Sequence, residues 1–104
     1  MNDPEKIVAA IYRAVDWING ELPRDRQLIK APGTRLLGAE SILDSMHLVS
    51  LIIAIEREVE DTFGMALTLA DERALSMKES PFRSIQSLAD YIGILMIDAR
   101  NGRE

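Results

Sequence analysis

Apolar residues recur every three or four positions in three separate segments of this 104-residue chain. This spacing is that of one face of an α-helix, which has 3.6 residues per turn. The segments are residues 3–20, residues 44–63 and a stretch that begins at Ser84. Because each segment has an apolar stripe, the stripes are best buried against one another in a small bundle. The pattern predicts an all-α fold.

Residues typical of helix ends flank these segments. Asp3 and Ser84 are N-cap candidates, since their side chains can accept a hydrogen bond from a free backbone N–H group. Pro4 suits the first helical turn. Gly20 is the last residue of the first segment and Gly64 directly follows the second, and we expect the helices to end there.

A long connection and one short element complete the expected architecture. Residues 21–43 show no sustained apolar period and contain two prolines. Residues 70–78, with the sequence ADERALSMK, are predicted to form one or two helical turns that end before Pro81. We therefore expect a small four-helix bundle of three long helices and one short helix, with a long loop between helices one and two. The chain is predicted to be one domain, with a core at about residues 3–98 and a polar tail at 99–104.

The composition narrows the classes of partner and of chemistry. A net charge of −5 disfavours nucleic acids and anionic membranes as partners. Cysteine is absent, which excludes a disulfide, a thiolate metal site and a cysteine nucleophile, and we expect no metal. No apolar run approaches the ~20 residues of a membrane span, and the N-terminal MNDPEKIV lacks the features of a secretory signal. A cytoplasmic location is expected. Basic residues of the long loop form either a solvated surface or a contact surface for an acidic partner: Arg24, Arg26, Lys30 and Arg35.

The second helix carries two apolar stripes. The first follows the spacing of a buried face, and we expect it to pack against Ile11 and Val15 of helix one and against Leu88 and Ile92 of the last helix. This predicted buried stripe comprises Leu48, Leu51, Ile52, Ile55 and Val59.

The second stripe, Met46, Val49 and Ile53, lies on another face of the same helix. One helix of a small bundle cannot bury both stripes unless a loop covers the second. An exposed apolar stripe usually marks an interaction surface, and we expect partner proteins to bind there. The alternative is that the long loop folds over it, with Leu36 and Leu37 as the covering residues.

An acid and a hydroxyl, Asp44 and Ser45, open this apolar helix. One interpretation makes Asp44 the N-cap and Ser45 an ordinary residue of the first turn. A catalytic triad with His47 is rejected, because positions two apart on a helix point in different directions and no glycine-rich elbow is present. A third interpretation makes Ser45 an attachment point, since the helix N-terminus has free N–H groups that favour a phosphate ester.

The stretch LDSMHLVSLIIAIERE, residues 43–58, resembles the 4'-phosphopantetheine attachment region of acyl carrier proteins. In that family an Asp-Ser-Leu or Asp-Ser-Met triplet opens the second helix. The stretch SIQSLADYI, residues 84–92, resembles the opening of the family's last helix, and the resemblance covers about residues 36–97. His47 and Ser50 stand at positions that are often acidic in the carriers of fatty-acid synthesis.

The resemblance implies a free-standing, monomeric carrier that is not itself an enzyme and has no catalytic residue. Ser45 would bear 4'-phosphopantetheine, whose thiol holds acyl or aminoacyl groups as thioesters, and Asp44 would assist attachment. The implied partners are a phosphopantetheinyl transferase and the enzymes that load and process the cargo in fatty-acid, polyketide or nonribosomal peptide biosynthesis. Glu56 joins the three residues of the second stripe as a partner-binding candidate. The alternative is a helical protein-interaction module without a prosthetic group.

Overall fold

The computed structural model describes residues 3–36, 43–69 and 81–100. These residues form three α-helices: α1 (Asp3–Asn19), α2 (Ser45–Phe63) and α3 (Ile85–Arg100), with a 3₁₀ turn at Arg24–Arg26. Within these ranges there is no β-strand, only an isolated antiparallel bridge between Arg35 and Ser84. The all-α prediction is confirmed. The expected short helix at 70–78 lies outside the described residues, and α3 extends two residues into the segment predicted as a polar tail.

Helix α1 is the central element, since it packs against both α2 and α3. Its predicted stripe is buried, from Ile7 in the second turn to Ile18 in the last. The core also contains side chains from outside the helices: Leu28, Leu36, Leu69 and Phe82. In the described part of the chain, no helix has both the length and the apolar character that a membrane crossing needs.

The predicted buried stripe of α2 is confirmed at four of its five positions. Leu51, Ile52, Ile55 and Val59 are buried in the same cluster as the apolar residues of α1 and α3. Leu48 was also expected to be buried, but it is only half-buried. It lies in the first turn of α2.

The expected helix ends are present at both sides of α2 and at the start of α3. Gly64 ends α2 in the left-handed conformation, with φ 71° and ψ 20°, and its N–H donates to the carbonyl of Glu60 at 2.8 Å. Only a residue without a Cβ adopts this conformation without strain. At α3, the Ser84 hydroxyl accepts a hydrogen bond from the N–H of Ser87 at 3.2 Å, as an N-cap does.

The described part of the long loop is held at two places. Near its start, the Asn19 side chain accepts from the N–H of Leu28 and donates to its carbonyl, at 2.8 and 3.0 Å. Near α3, the N–H groups of Ile85 and Gln86 donate to the carbonyls of Thr34 and Pro32, at 3.0 and 2.8 Å. The first turn of a helix has N–H groups without intrahelical partners. The loop therefore has a structural role, because its carbonyls complete the N-terminus of α3.

Candidate functional site

The Asp44 side chain caps α2. Its backbone is extended, with φ −82° and ψ 172°, and its Oδ1 accepts the N–H of His47 at 2.8 Å. The same oxygen lies 2.9 Å from Nδ1 of the His47 ring. The hydrogen bond from the His47 N–H is the main cause that lowers the pKa of Asp44, and the His47 ring and the Arg26 guanidinium act in the same direction. The prediction that Asp44 is the N-cap of α2 is confirmed, and the lowered pKa leaves Asp44 ionised at neutral pH.

Ser45 is the first residue of α2, directly after the capping Asp44. Its neighbours on both sides are exposed, since the Asp44 side chain is 65% exposed and Met46 is 77% exposed. A residue in the first helical turn lies among free N–H groups and in the partly positive field of the helix N-terminus. This position suits a covalently attached, negatively charged group, because the helix field favours the charge and both flanking residues are exposed.

The second apolar stripe of α2 is exposed. Met46 is 77%, Val49 55% and Ile53 52% exposed, although all three are large and apolar. Leu36, which was one of the two covering residues in the alternative, is buried instead, and its N–H donates to the carbonyl of Arg83. Leu37, the other, lies outside the described residues. The described part of the loop thus leaves this stripe open.

Glu56, the fourth partner-binding candidate, has a structural contact that the sequence did not indicate. It is half-buried, and its Oε2 accepts the N–H of Leu69 at 2.7 Å. Leu69 is itself buried in the core. The carboxylate therefore helps to hold the segment that follows α2. If Glu56 also binds a partner, its carboxylate must serve both contacts.

A groove of about 360 Å³ that was not predicted from the sequence lies between α1 and α2. Its lining residues are Trp17, Ser50, Ile53, Ala54, Arg57 and Glu58. Trp17, the only tryptophan of the chain, is 53% exposed and does not belong to the buried stripe of α1. The one sequence feature that could have indicated this groove is a tryptophan that lies outside the apolar stripe of its helix.

A second, shallow groove of about 310 Å³ lies between α1 and α3. It is lined in part by Val8, Ile94 and Ile97, and the last two are exposed. It belongs to a different pair of helices from the candidate site at the start of α2.

Within the described ranges, no group of three or more potential ligands could hold a metal ion. No protein-family model, curated protein sequence or solved structure matches this chain. The function must therefore be inferred from the residues at the start of α2 and from the surface that surrounds them.

Proposed function

We propose that this chain is a phosphopantetheine-dependent carrier protein, with Ser45 as the attachment residue and the segment 70–78 as the short helix that completes a four-helix bundle. The supporting observation is the position of Ser45, which is the first residue of α2, between the capping Asp44 and the exposed Met46. The Asp-Ser-Met triplet occupies the helix start at which acyl carrier proteins bear their prosthetic group.

Attachment is a transfer carried out by a separate enzyme. The Ser45 oxygen forms a bond to the phosphorus of coenzyme A that bears the pantetheine, the bond from this phosphorus to the neighbouring phosphate oxygen breaks, and 3',5'-ADP leaves. A base of the transferase accepts the hydroxyl proton. We place this step in the cytoplasm, where coenzyme A is available.

The chain's own residues hold the attachment point in place. The hydrogen bond between Asp44 and the His47 N–H fixes the first turn of α2. The helix N-terminus favours the single negative charge of a phosphodiester by about 0.3–1 kcal/mol. When attached, the prosthetic group supplies a thiol that carries acyl or aminoacyl cargo as a thioester. Tethering raises the effective concentration of this cargo at partner active sites, and the chain itself is proposed to have no catalytic activity.

Partner enzymes would dock beside the attachment point. The exposed stripe begins at Met46, the residue after Ser45, and continues along α2 to Ile53. Apolar surface of this kind favours association with a complementary apolar patch. We propose that the transferase and the enzymes that load and process the cargo bind there.

A second candidate function is a helical interaction module without a prosthetic group. The same exposed stripe supports it, because an apolar interaction surface needs no modification to bind a partner. The two functions differ in what happens to Ser45. A carrier gains mass there, and an interaction module does not.

The test is the intact mass of the chain after incubation with coenzyme A, magnesium and a phosphopantetheinyl transferase of broad specificity. We expect a gain of one phosphopantetheine group for the wild type and for the control Thr68→Ala, which removes an exposed hydroxyl outside α2, and none for Ser45→Ala. Circular dichroism should show equal helix content in all three. No gain by the wild type would favour the interaction module, and a gain by Ser45→Ala would place the modification elsewhere.

A further inference from the structure

The groove between α1 and α3 has an open apolar surface, and we call it the α1/α3 groove. On the α3 side, Ile94 and Ile97 are 56% and 57% exposed, although both are large and apolar. On the α1 side, Ile7 is buried and Val8 is half-buried. Gly93 also lines the groove, and the nearest atom that a Cβ there would meet is Cδ1 of Ile7, at 3.9 Å. The absence of a side chain at Gly93 therefore leaves space in the groove.

The length and the chemistry of the α1/α3 groove suit a helix of another protein. Its lining residues on α3 run from Gln86 to Ile97, which is about 16 Å along the helix axis at about 1.5 Å per residue. Three turns of a bound helix cover the same distance. Away from the helix ends, the backbone N–H and C=O groups of α1 and α3 are used within those helices, so an extended segment could not pair with them as a strand. A helix satisfies its own backbone and binds through an apolar stripe of side chains.

The charge at the α1/α3 groove selects the chemistry of that helix. Of the described residues that line the groove, one is charged, and it is the exposed Asp90. Nε2 of Gln86 donates to Oδ1 of Asp90 at 2.9 Å. An amide is neutral, so this hydrogen bond orients the carboxylate without compensating its charge. The net charge of −5 adds to the negative potential around it. A basic residue of a partner is therefore attracted to this position, and an acidic one is repelled.

We propose that the α1/α3 groove binds an amphipathic helix of another protein, with an apolar stripe packed on Ile94 and Ile97 and a lysine or arginine opposite Asp90. None of the described residues that line the groove lies on α2, so this partner uses neither Ser45 nor the exposed stripe of α2. One protein can then hold the chain while another acts at the start of α2. The proposal does not depend on a prosthetic group at Ser45, and a failure of loading would leave it standing.

Three synthetic peptides of about 18 residues, long enough to form a helix, test the role of the charge. They share one amphipathic sequence with a leucine stripe and differ at a single position beside the stripe, which is lysine, glutamine or glutamate. Their binding to the full chain is measured by fluorescence anisotropy. Because exposed ion pairs contribute modestly, we expect the Kd of the lysine peptide to be about 3–10 times lower than that of the glutamate peptide. Asp90→Lys should reverse this order. The matched control Asp25→Lys changes the same charge on the exposed 3₁₀ turn and should keep it.

The variant Gly93→Leu tests the groove itself. The added side chain would occupy the groove, and leucine suits the helix backbone because φ of Gly93 is not positive. We expect Tm to stay equal or rise while binding of the lysine peptide is lost, which separates loss of the site from loss of the fold. Ile97→Ala should also weaken binding, whereas Ile29→Ala, which truncates an exposed isoleucine of the long loop, should not.

Two results would overturn the proposal. One is that the three peptides bind the wild type equally or do not bind it at all. The other is a dimer of the chain in sedimentation equilibrium that is lost in Gly93→Leu, since this would assign the α1/α3 groove to a second copy.

Discussion

The substitution Leu51→Ala tests which face of α2 holds the fold together. Leu51 is fully buried among residues of the common core. Removing its three terminal carbons loses about 2.4 kcal/mol of transfer free energy, at about 0.8 kcal/mol for each buried CH₂-sized group. The cavity that remains adds to this loss, and buried Leu→Ala changes cost about 2.7–5 kcal/mol in total. We expect a decrease of about 3–4 kcal/mol in the free energy of unfolding.

The assay is urea or thermal unfolding followed by circular dichroism. With about 2.1 cal/mol/K of unfolding entropy per residue over the 104 residues, the expected loss lowers Tm by roughly 15 °C. The matched control is Met46→Ala on the same helix, which truncates an exposed side chain and should change stability by less than about 0.5 kcal/mol. Equal midpoints for the two variants would mean that the buried and exposed faces of α2 are wrongly assigned.

Three further predictions concern the ends and the open face of α2. Gly64→Ala should lower the free energy of unfolding by about 1–2 kcal/mol, because the backbone has φ 71°, an angle that is strained for alanine even though no atom lies within 4 Å of the new Cβ. The control is Gly33→Ala in the same unfolding assay: its Cβ is equally unobstructed and its φ is not positive, so it should not destabilise the fold. Asp44→Asn should remove a pH-dependent part of the free energy of unfolding. The pKa of Asp44 is lowered in the folded state, so its carboxylate stabilises the native chain above about pH 4. This contribution is lost as pH falls through the lowered folded-state pKa. The difference between the two proteins in urea midpoints should therefore shrink only in acid. Ile53→Ala should weaken transferase binding, because it truncates an exposed apolar side chain of the stripe. Since the contact is mainly apolar, the affinity of the wild type should fall by less than about tenfold between low and physiological salt. A complete loss of wild-type binding at physiological salt would contradict an apolar contact.

The helices could be predicted from the sequence because the spacing of apolar residues reports burial directly. The three buried stripes supply most of the core, and the glycine at 64 and the hydroxyl at 84 mark helix ends through local backbone chemistry. Likewise, the position of Ser45 at the start of α2 depends only on neighbouring residues. A cap is formed by atoms three residues apart, so local sequence contains the information.

The contacts that could not be predicted join residues that are distant in the chain. The ion pair between Arg13 and Glu58 spans 45 positions, and the hydrogen bond from Leu69 to Glu56 spans 13. Nothing in the local composition of the long loop indicated that its carbonyls would complete the N-terminus of α3. The groove beside Trp17 likewise depends on how α1 and α2 cross. Such features follow from packing, and periodicity within one helix does not specify them.

The open face of α2 raises the question of why the chain would not bind a second copy of itself. Two copies that met through this face would bring together two net charges of −5 and two exposed carboxylates at Glu60. In a symmetric dimer the same patch occurs on both sides, so every charge of the patch is present twice. Apolar contact at Met46 and Ile53 would have to overcome both repulsions. An unlike partner with an apolar patch and no net negative charge meets neither obstacle, and we therefore expect a monomer that binds enzymes through α2.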